Sequence, residues 1–103
     1  MKPALEAAER ELRVLVEESP ITHGMTVRVE RSHLYLGRPV TPGPYPDDEP
    51  DDRLRFSHLG GPAFGLSVRR HTGTWEKAPF SGTLRELLEV VRTTMQHLVA
   101  PDL

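Results

Sequence analysis

Residues 52–70, DRLRFSHLGGPAFGLSVRR, alternate apolar and polar side chains on both sides of a Gly-Gly-Pro break. Leu54 and Phe56 alternate with arginine and serine before the break, and Phe64 and Leu66 alternate with glycine and serine after it. A period of two is typical of a strand with one buried face, and neighbouring glycines adopt turn conformations readily. The stretch therefore predicts a hairpin of two half-buried strands, and this hairpin decides the fold class.

Two further strands are predicted upstream of this hairpin. Val27 and Val29 alternate with polar residues at odd positions, whereas Leu34 and Leu36 continue the alternation at even positions. Because side chains of a strand alternate between faces, this change of parity requires a turn or a bulge near Arg31-Ser32. The pattern predicts a second hairpin.

A fifth, shorter strand is predicted downstream, at residues 74–78 (TWEKA), after a Thr-Gly turn. Its alternation predicts that Trp75 faces the core and that Glu76 faces water. We expect Trp75 and Phe80 to pack where this strand meets the helix that follows.

Both ends of the sequence have helical periodicity. Residues 4–18 repeat apolar side chains at spacings of three and four, with Glu and Arg on the opposite side. Near the other end, Thr83 and Glu86 form the Thr-x-x-Glu pattern of a capping box, an apolar stripe follows, and Pro101 ends the predicted helix. The sequence therefore predicts an amphipathic helix on each side of the strands.

These elements predict an α+β fold: a four- to five-stranded antiparallel β-meander with N- and C-terminal helices packed on one face, in two layers (α-β-β-β-β-β-α). The 103 residues are interpreted as a single α+β domain, 1–103. The Pro/Asp-rich stretch at 40–52 predicts a flexible loop. The predicted core comprises Leu5, Leu12, Leu15, Val16, Val27, Val29, Leu34, Leu36, Leu54, Phe56, Phe64, Leu66, Val68, Trp75, Phe80, Leu84, Leu87, Leu88, Val91 and Met95.

The composition narrows the classes of function. The absence of cysteine excludes disulfides, thiol nucleophiles and thiolate metal ligands. Thirteen Lys and Arg against 15 Asp and Glu give a net charge of −2, which does not favour a general electrostatic nucleic-acid binder. No stretch has the apolar run of a signal peptide or a membrane span. We therefore expect a cytoplasmic protein with no membrane partner.

Catalytic and cofactor motifs are not found in the sequence. The glycines of GGPAFG precede a predicted strand, whereas a phosphate-binding loop needs a helix N-terminus there. The five histidines have no metal-ligand spacing, and His33 and His58 are predicted on opposite faces of the sheet. No spacing singles out a Ser-His-carboxylate triad. The sequence predicts no catalytic residue, no cofactor and no metal ligand.

The polar face of the predicted sheet carries the candidate binding residues. Alternation places Arg28, Tyr35, Arg53, Arg55 and Arg69 on the side away from the helices. Arginines can bind phosphates or acidic protein groups, but sheets that bind single-stranded RNA use two or three stacking aromatic residues, and this face is expected to offer Tyr35 alone. An ordinary solvated face, with arginines and glutamates paired across strands, explains the same pattern.

Three functions are considered, in order of preference. The first is a non-enzymatic protein-binding or adaptor module that uses a sheet edge or the arginine-bearing face toward an acidic protein or a second copy of itself. The second is a nucleic-acid-binding domain that uses the same arginines. The third is a small hydrolase-like enzyme. The unpaired edge strands of a meander favour a homodimer as one form of the first function.

Overall fold

The computed structural model of the protein describes residues 3–38, 51–70 and 72–99. The loop predicted at 40–52 lies outside the described residues as far as position 50, and Asp51 and Asp52 already belong to a strand. The helices and strands, in chain order, are α1 (Pro3–Glu17), β1 (Thr26–Glu30), β2 (His33–Arg38), β3 (Asp51–Gly60), β4 (Ala63–Arg69), β5 (Trp75–Gly82), α2 (Leu84–Thr94) and α3 (Gln96–Val99).

The five strands form one antiparallel sheet in the order β1-β2-β3-β4-β5, so each strand pairs with its neighbours in sequence. With α1 before the sheet and α2 and α3 after it, the predicted α+β meander is confirmed. None of the described helices is long and apolar enough to cross a membrane.

The core lies between the helices and one face of the sheet. Leu12 and Leu88 of the helices and Phe56 of the central strand are completely buried. Burying one such side chain stabilises the fold by about 1.5 to 3 kcal/mol. Val68 and Met95 pack against this cluster while partly exposed. The core prediction is confirmed for Leu5, Leu12, Leu15, Val16, Val27, Leu34, Leu36, Leu54, Phe56, Phe64, Leu66, Leu84, Leu87, Leu88 and Val91.

The core prediction is wrong for Val29 and Phe80, whose side chains are 36% and 37% exposed. Val29 lies near the end of the edge strand β1, where the sheet has a neighbour on one side only. Phe80 lies in an irregular part of β5, where residues 78–80 oppose the single residue Leu66 of β4. A bulge of this kind breaks the alternation of faces, so the period of two no longer predicts where a side chain points.

Two tight turns lie where the sequence predicts them. Arg31 adopts a positive φ of 58° between β1 and β2, and this turn accounts for the change of parity. Gly60 and Gly61 adopt φ values of 133° and 52° between β3 and β4, in a region that favours glycine. Both predicted hairpins therefore form.

The Ser-Gly-Thr turn before α2 is a helix N-cap, as predicted. The Glu86 amide donates a hydrogen bond to the Thr83 hydroxyl (3.2 Å), and the Thr83 amide donates one to the Glu86 carboxylate (2.8 Å). Gly82 allows this arrangement, because a Cβ at that position would lie 2.6 Å from the Glu86 carboxylate oxygen. The capping box thus fixes the passage from β5 into α2.

The C-terminal helix is interrupted, whereas its periodicity predicts one continuous helix. Met95 caps α2 with a φ of −130°, and α3 begins at Gln96. The Thr93 and Thr94 hydroxyls donate to backbone carbonyls one turn earlier (2.8 and 2.7 Å), a pattern that weakens and bends helices. The break brings Val99 into the core, where it is completely buried.

Arg38, at the end of β2, joins α3 to the turn that follows α1. Its guanidinium is buried and donates hydrogen bonds to the carbonyl oxygens of Ile21 (2.9 Å), His23 (2.8 Å) and Val99 (2.8 Å). Burial lowers the pKa of Arg38, and the nearby charge of Arg53 lowers it further. Three backbone carbonyls therefore stabilise a charge that the core would otherwise exclude.

Replacing Thr83 with alanine is expected to lower the free energy of unfolding by about 0.5 to 2 kcal/mol, because the capping box loses its hydroxyl acceptor. Urea denaturation followed by circular dichroism measures this change. Thr93→Ala is the matched control, since it removes a threonine from the exposed side of the same helix and should not destabilise it. Equal losses in the two variants would contradict the capping role.

Candidate binding face

The face of the sheet away from the helices carries a continuous row of polar side chains, and we call it the open face. Arg28, Tyr35, Arg55, Ser67 and Lys77 are neighbours in register, one from each strand. The residues that flank Tyr35, Arg55 and Ser67 in sequence belong to the core or pack against it. Since successive side chains of a strand lie on opposite faces, the row points away from the helices, as alternation predicts for Arg28, Tyr35 and Arg55.

Trp75 lies on the open face, which corrects its predicted place in the core. It is paired in register with Arg69, and Arg69 shares a face with Ser67 two residues earlier. The turn between β4 and β5 is centred on residue 72, so odd positions oppose odd positions in this hairpin. The sequence prediction for Arg69 therefore holds, and counting outward from the turn would have placed Trp75 beside it.

Tyr35 and Trp75 lean toward each other across the sheet. Their strands are three steps apart, which is about 14 Å at the usual strand spacing. Their ring centroids are nevertheless 5.7 Å apart, with an angle of 65° between the ring planes. The two rings therefore lie above the strands between them, and Ser67 of β4 is only 3% exposed although no described helix packs on this face.

Two arginines pack on these rings. The guanidinium carbon of Arg28 lies 4.4 Å from the Tyr35 ring centroid, and that of Arg55 lies 5.1 Å from the Trp75 ring centroid. Cation–π contacts of this kind contribute about 0.5 to 1 kcal/mol each where the groups are partly exposed. The contacts also fix the orientation of both guanidinium groups.

The charge of Arg28 is balanced within the fold. Its guanidinium donates to the carboxylates of Glu30 (2.6 Å) and Asp52 (2.5 Å). The hydrogen bond to Asp52 is the main reason that the pKa of Arg28 is raised above its ordinary value. A binding partner would have to compete with two carboxylates at this end of the open face.

A bulge in β3 decides where Asp52 and Arg53 point. The register shifts next to Gly37, which pairs with Asp52, and the bulged residue is Arg53. Asp52 reaches Arg28 on the open face, whereas Arg53 donates a hydrogen bond to the Leu98 carbonyl (3.1 Å) in α3. The predicted place of Arg53 on the open face is therefore wrong, because strict alternation ends at a bulge.

The end of the open face toward β5 carries positive charge that is less well balanced. Arg55, Arg69 and Lys77 lie there, on β3, β4 and β5. Within residues 3–38, 51–70 and 72–99, none of these three forms an ion pair with a carboxylate, whereas Arg28 forms two. The Nε atom of Arg55 is also buried and has no hydrogen-bond partner among these residues. We call this end, with Trp75 beside it, the cationic end.

His33 lies beside Tyr35 on the open face, with 6.1 Å between the ring centroids. Burial is the main reason that the pKa of His33 is lowered, and the charges of Arg55 and Arg31 lower it further. Its Nδ1 atom is buried and has no hydrogen-bond partner in the described part of the chain. The ring is therefore neutral at pH 7 and adds no charge to the face.

A pocket of about 220 Å³ opens next to the cationic end. Leu59, which is 62% exposed, forms one wall, and its side chain lies over Gly65, at 3.7 Å from the position that a Cβ would take there. The remaining walls are formed by Ser57, Leu66, Ser67, Lys77 and Ala78. A concave site therefore lies between an exposed leucine and a lysine.

The histidines do not assemble into a metal site in the described ranges. No group of three or more His, Asp or Glu side chains there is placed to hold a metal ion. The His58 ring packs against Phe64, with 5.2 Å between centroids, and its Nε2 lies 2.9 Å from the Gly61 carbonyl. His58 thus contacts the turn between β3 and β4 and lies apart from the Tyr35–Trp75 pair.

Comparisons with known proteins give no match: no protein-family model, curated protein or solved structure is similar enough to this chain to count as a relative. A fold of this class hosts many unrelated functions, so the architecture alone assigns none. The cations and aromatic rings of the open face are the features that can indicate a function.

Replacing Trp75 with alanine is expected to lower the free energy of unfolding by about 1 to 2 kcal/mol, because a half-buried ring loses its contacts with Tyr35 and Arg55. Phe56→Ala is the comparison variant and should cost about 3 to 5 kcal/mol, since that ring is completely buried. Urea denaturation followed by circular dichroism measures both. A Trp75→Ala loss as large as that of Phe56→Ala would place Trp75 in the core after all.

The free energy of unfolding is expected to fall as the pH drops below about 6.5, because the unfolded chain accepts a proton that folded His33 resists. A histidine with a lowered folded pKa leaves stability intact above the unfolded pKa and reduces it at lower pH. His33→Gln should remove this part of the pH dependence, and His97→Gln, at an exposed position of α3, should not. Denaturation series between about pH 5 and 8 measure the difference, and identical profiles for wild type and His33→Gln would contradict it.

Proposed function

We propose that the protein is a non-enzymatic binding module that takes an extended acidic segment of a partner protein on its open face. The observation that carries this proposal is the cationic end, where Arg55, Arg69 and Lys77 lie beside Trp75 without an ion pair to a described carboxylate. Tryptophan, tyrosine and arginine are the residue types that contribute most to protein interfaces. Cations beside an aromatic ring can bind a protein segment in which carboxylates alternate with apolar side chains.

The Tyr35–Trp75 pair supports the proposal as a preformed apolar centre. Both rings are half-buried and already packed against arginines, so binding would order few additional side chains. Contact surface that is rigid before binding costs less conformational entropy on association. Arg55 in particular is held against Trp75 in advance, with a buried Nε that lacks a partner among the described residues.

The dimensions of the sheet suggest the length of the segment. Five strands span about 19 Å from β1 to β5, a distance that about six extended residues can cross. Acidic residues of the partner are expected over β3 to β5, because Arg28 at the β1 side already binds two carboxylates. The proposed ligand is therefore a short extended segment with its acids at one end.

A second copy of the chain is the other protein partner that we propose. The edges of the meander are β1 and β5, and edge strands expose backbone groups that can pair with another chain. Lys77 and Pro79 hinder the pairing of β5 with another chain. The charges of Arg28 and Glu30 hinder the pairing of β1 in the same way. For either partner we propose the cytoplasm as the location, in keeping with a sequence that has no cysteine.

The position of Trp75 favours one further candidate, a single-stranded nucleic acid. The open face offers two aromatic rings beside three cations, where the sequence predicts one ring, and aromatic residues among cations are typical of sheets that stack bases. The rings meet edge to face, however, and each is covered by an arginine, so neither is laid out flat as a stacking platform. We therefore place this candidate second.

Fluorescence anisotropy with labelled peptides of about ten residues tests the proposal. One peptide alternates glutamate with apolar residues, and its partner peptide has every glutamate replaced by glutamine. The acidic peptide is expected to bind and the glutamine peptide is not. Arg55→Gln and Arg69→Gln should each weaken binding by about tenfold, which is about 1.4 kcal/mol. Arg10→Gln removes the same charge from the exposed side of α1 and should leave the affinity unchanged.

Equal affinities for the two peptides, or an equal effect of all three arginine substitutions, would contradict the proposed function. An oligothymidylate measured in parallel separates the second candidate. If the oligonucleotide binds more tightly than the acidic peptide, and if its affinity falls steeply with salt, the open face is a nucleic-acid surface.

A further inference from the structure

We propose that the pocket beside Leu59 binds a small organic anion, with a carboxylate at Lys77 and a compact apolar body against Leu59 and Ala78. This site lies next to the cationic end and takes a free small molecule. It does not rest on the proposed binding of a protein segment.

The volume of the pocket limits the size of the ligand. The space has a volume of about 220 Å³. Sites for drug-sized ligands and cofactors are larger, at about 300 to 1,000 Å³. The pocket is therefore smaller than the sites that hold drug-sized ligands and cofactors, and it suits a small molecule.

The walls of the pocket are largely apolar. Ala78 contributes carbon surface, and Gly65 has no side chain to fill the space beneath Leu59. Leu59 itself is 62% exposed. A ligand with a small branched hydrocarbon part would cover this leucine and gain the free energy of removing its surface from water.

The polar groups of the pocket select a negative charge. Lys77 supplies an ammonium group and the half-buried Ser57 supplies a hydroxyl donor, whereas Ser67, which also lines the pocket, is only 3% exposed. Arg55 lies in register beside Ser67, so a second cation is adjacent to the same wall. The described residues that line the pocket include no carboxylate. One ammonium and one hydroxyl group match the two oxygens of a carboxylate, which can accept several hydrogen bonds.

Gly65 provides a way to fill the pocket without disturbing the fold. A Cβ at this position would meet the Leu59 side chain at 3.7 to 3.9 Å, which is ordinary van der Waals contact. Gly65 is also absent from the glycines with positive φ, so its backbone accepts alanine. Gly65→Ala is therefore expected to fold and to occupy part of the space that the ligand needs.

Nuclear magnetic resonance titration with 3-methylbutanoate tests the proposal, and 3-methylbutanamide serves as a neutral probe of the same shape. The carboxylate is expected to bind with a dissociation constant of about 1 mM, given its few atoms, and to shift the amide signals of the residues that line the pocket. The amide probe should bind at least about tenfold more weakly. Lys77→Gln should lower the affinity for 3-methylbutanoate by about tenfold, and Gly65→Ala should lower it by about fivefold. Arg10→Gln should leave this affinity unchanged.

Three results would overturn the proposal: no saturable shift at the lining residues, equal affinities for the acid and the amide, or wild-type affinity in either Lys77→Gln or Gly65→Ala. Spectra of the free variants show whether each is folded, so a variant that fails to fold is recognised before titration. Because no protein segment takes part, the outcome is independent of the peptide-binding test.

Discussion

In residues 3–38, 51–70 and 72–99 the sheet has helices on one face only, and this constraint determines how the rest of that structure is built. All of the buried apolar side chains that form the core pack between that face and the helices. No second layer formed by the described residues covers the other face. Its own long side chains cover this face instead. Tyr35 and Trp75 meet above β3 and β4, and two arginines pack on the rings. The candidate binding surface is thus also a thin stabilising layer.

Two bulges determine which charges this layer carries. The bulge in β3 sends Asp52 to Arg28 and turns Arg53 toward α3, so one side of the open face is neutralised internally. The irregularity in β5 leaves Lys77 in the row and turns Phe80 to solvent. Positive charge is therefore concentrated over β3 to β5, beside the pocket, because the bulge in β3 brings Asp52 to Arg28 at the other end of the face.

Elements that depend on local pattern could be predicted from the sequence. The alternation around Leu54 and Phe64, the change of parity at Arg31 and the capping box at Thr83 each have a local cause, and each is found in the structure. Features that depend on register could not be predicted in this way. Alternation within the short strand at 74–78 predicts Trp75 in the core, although the position of the turn places it opposite Arg69. The bulge at Arg53 lies opposite Gly37 on another strand, so the alternation of β3 alone does not reveal it.

Arg38 has a consequence for the boundaries of the fold. Its guanidinium draws its acceptors from the turn after α1 and from the last residue of α3, so it ties together two segments that are far apart along the chain. A chain shortened to end before Val99 would lose one of three acceptors and leave a buried cation undersolvated, as well as a hole in the core where Val99 packs. The four residues of α3 are too few to be stable as an isolated helix. These residues nevertheless hold α3 against the end of β2 through Arg38. The smallest version of this domain that folds on its own therefore has to include them.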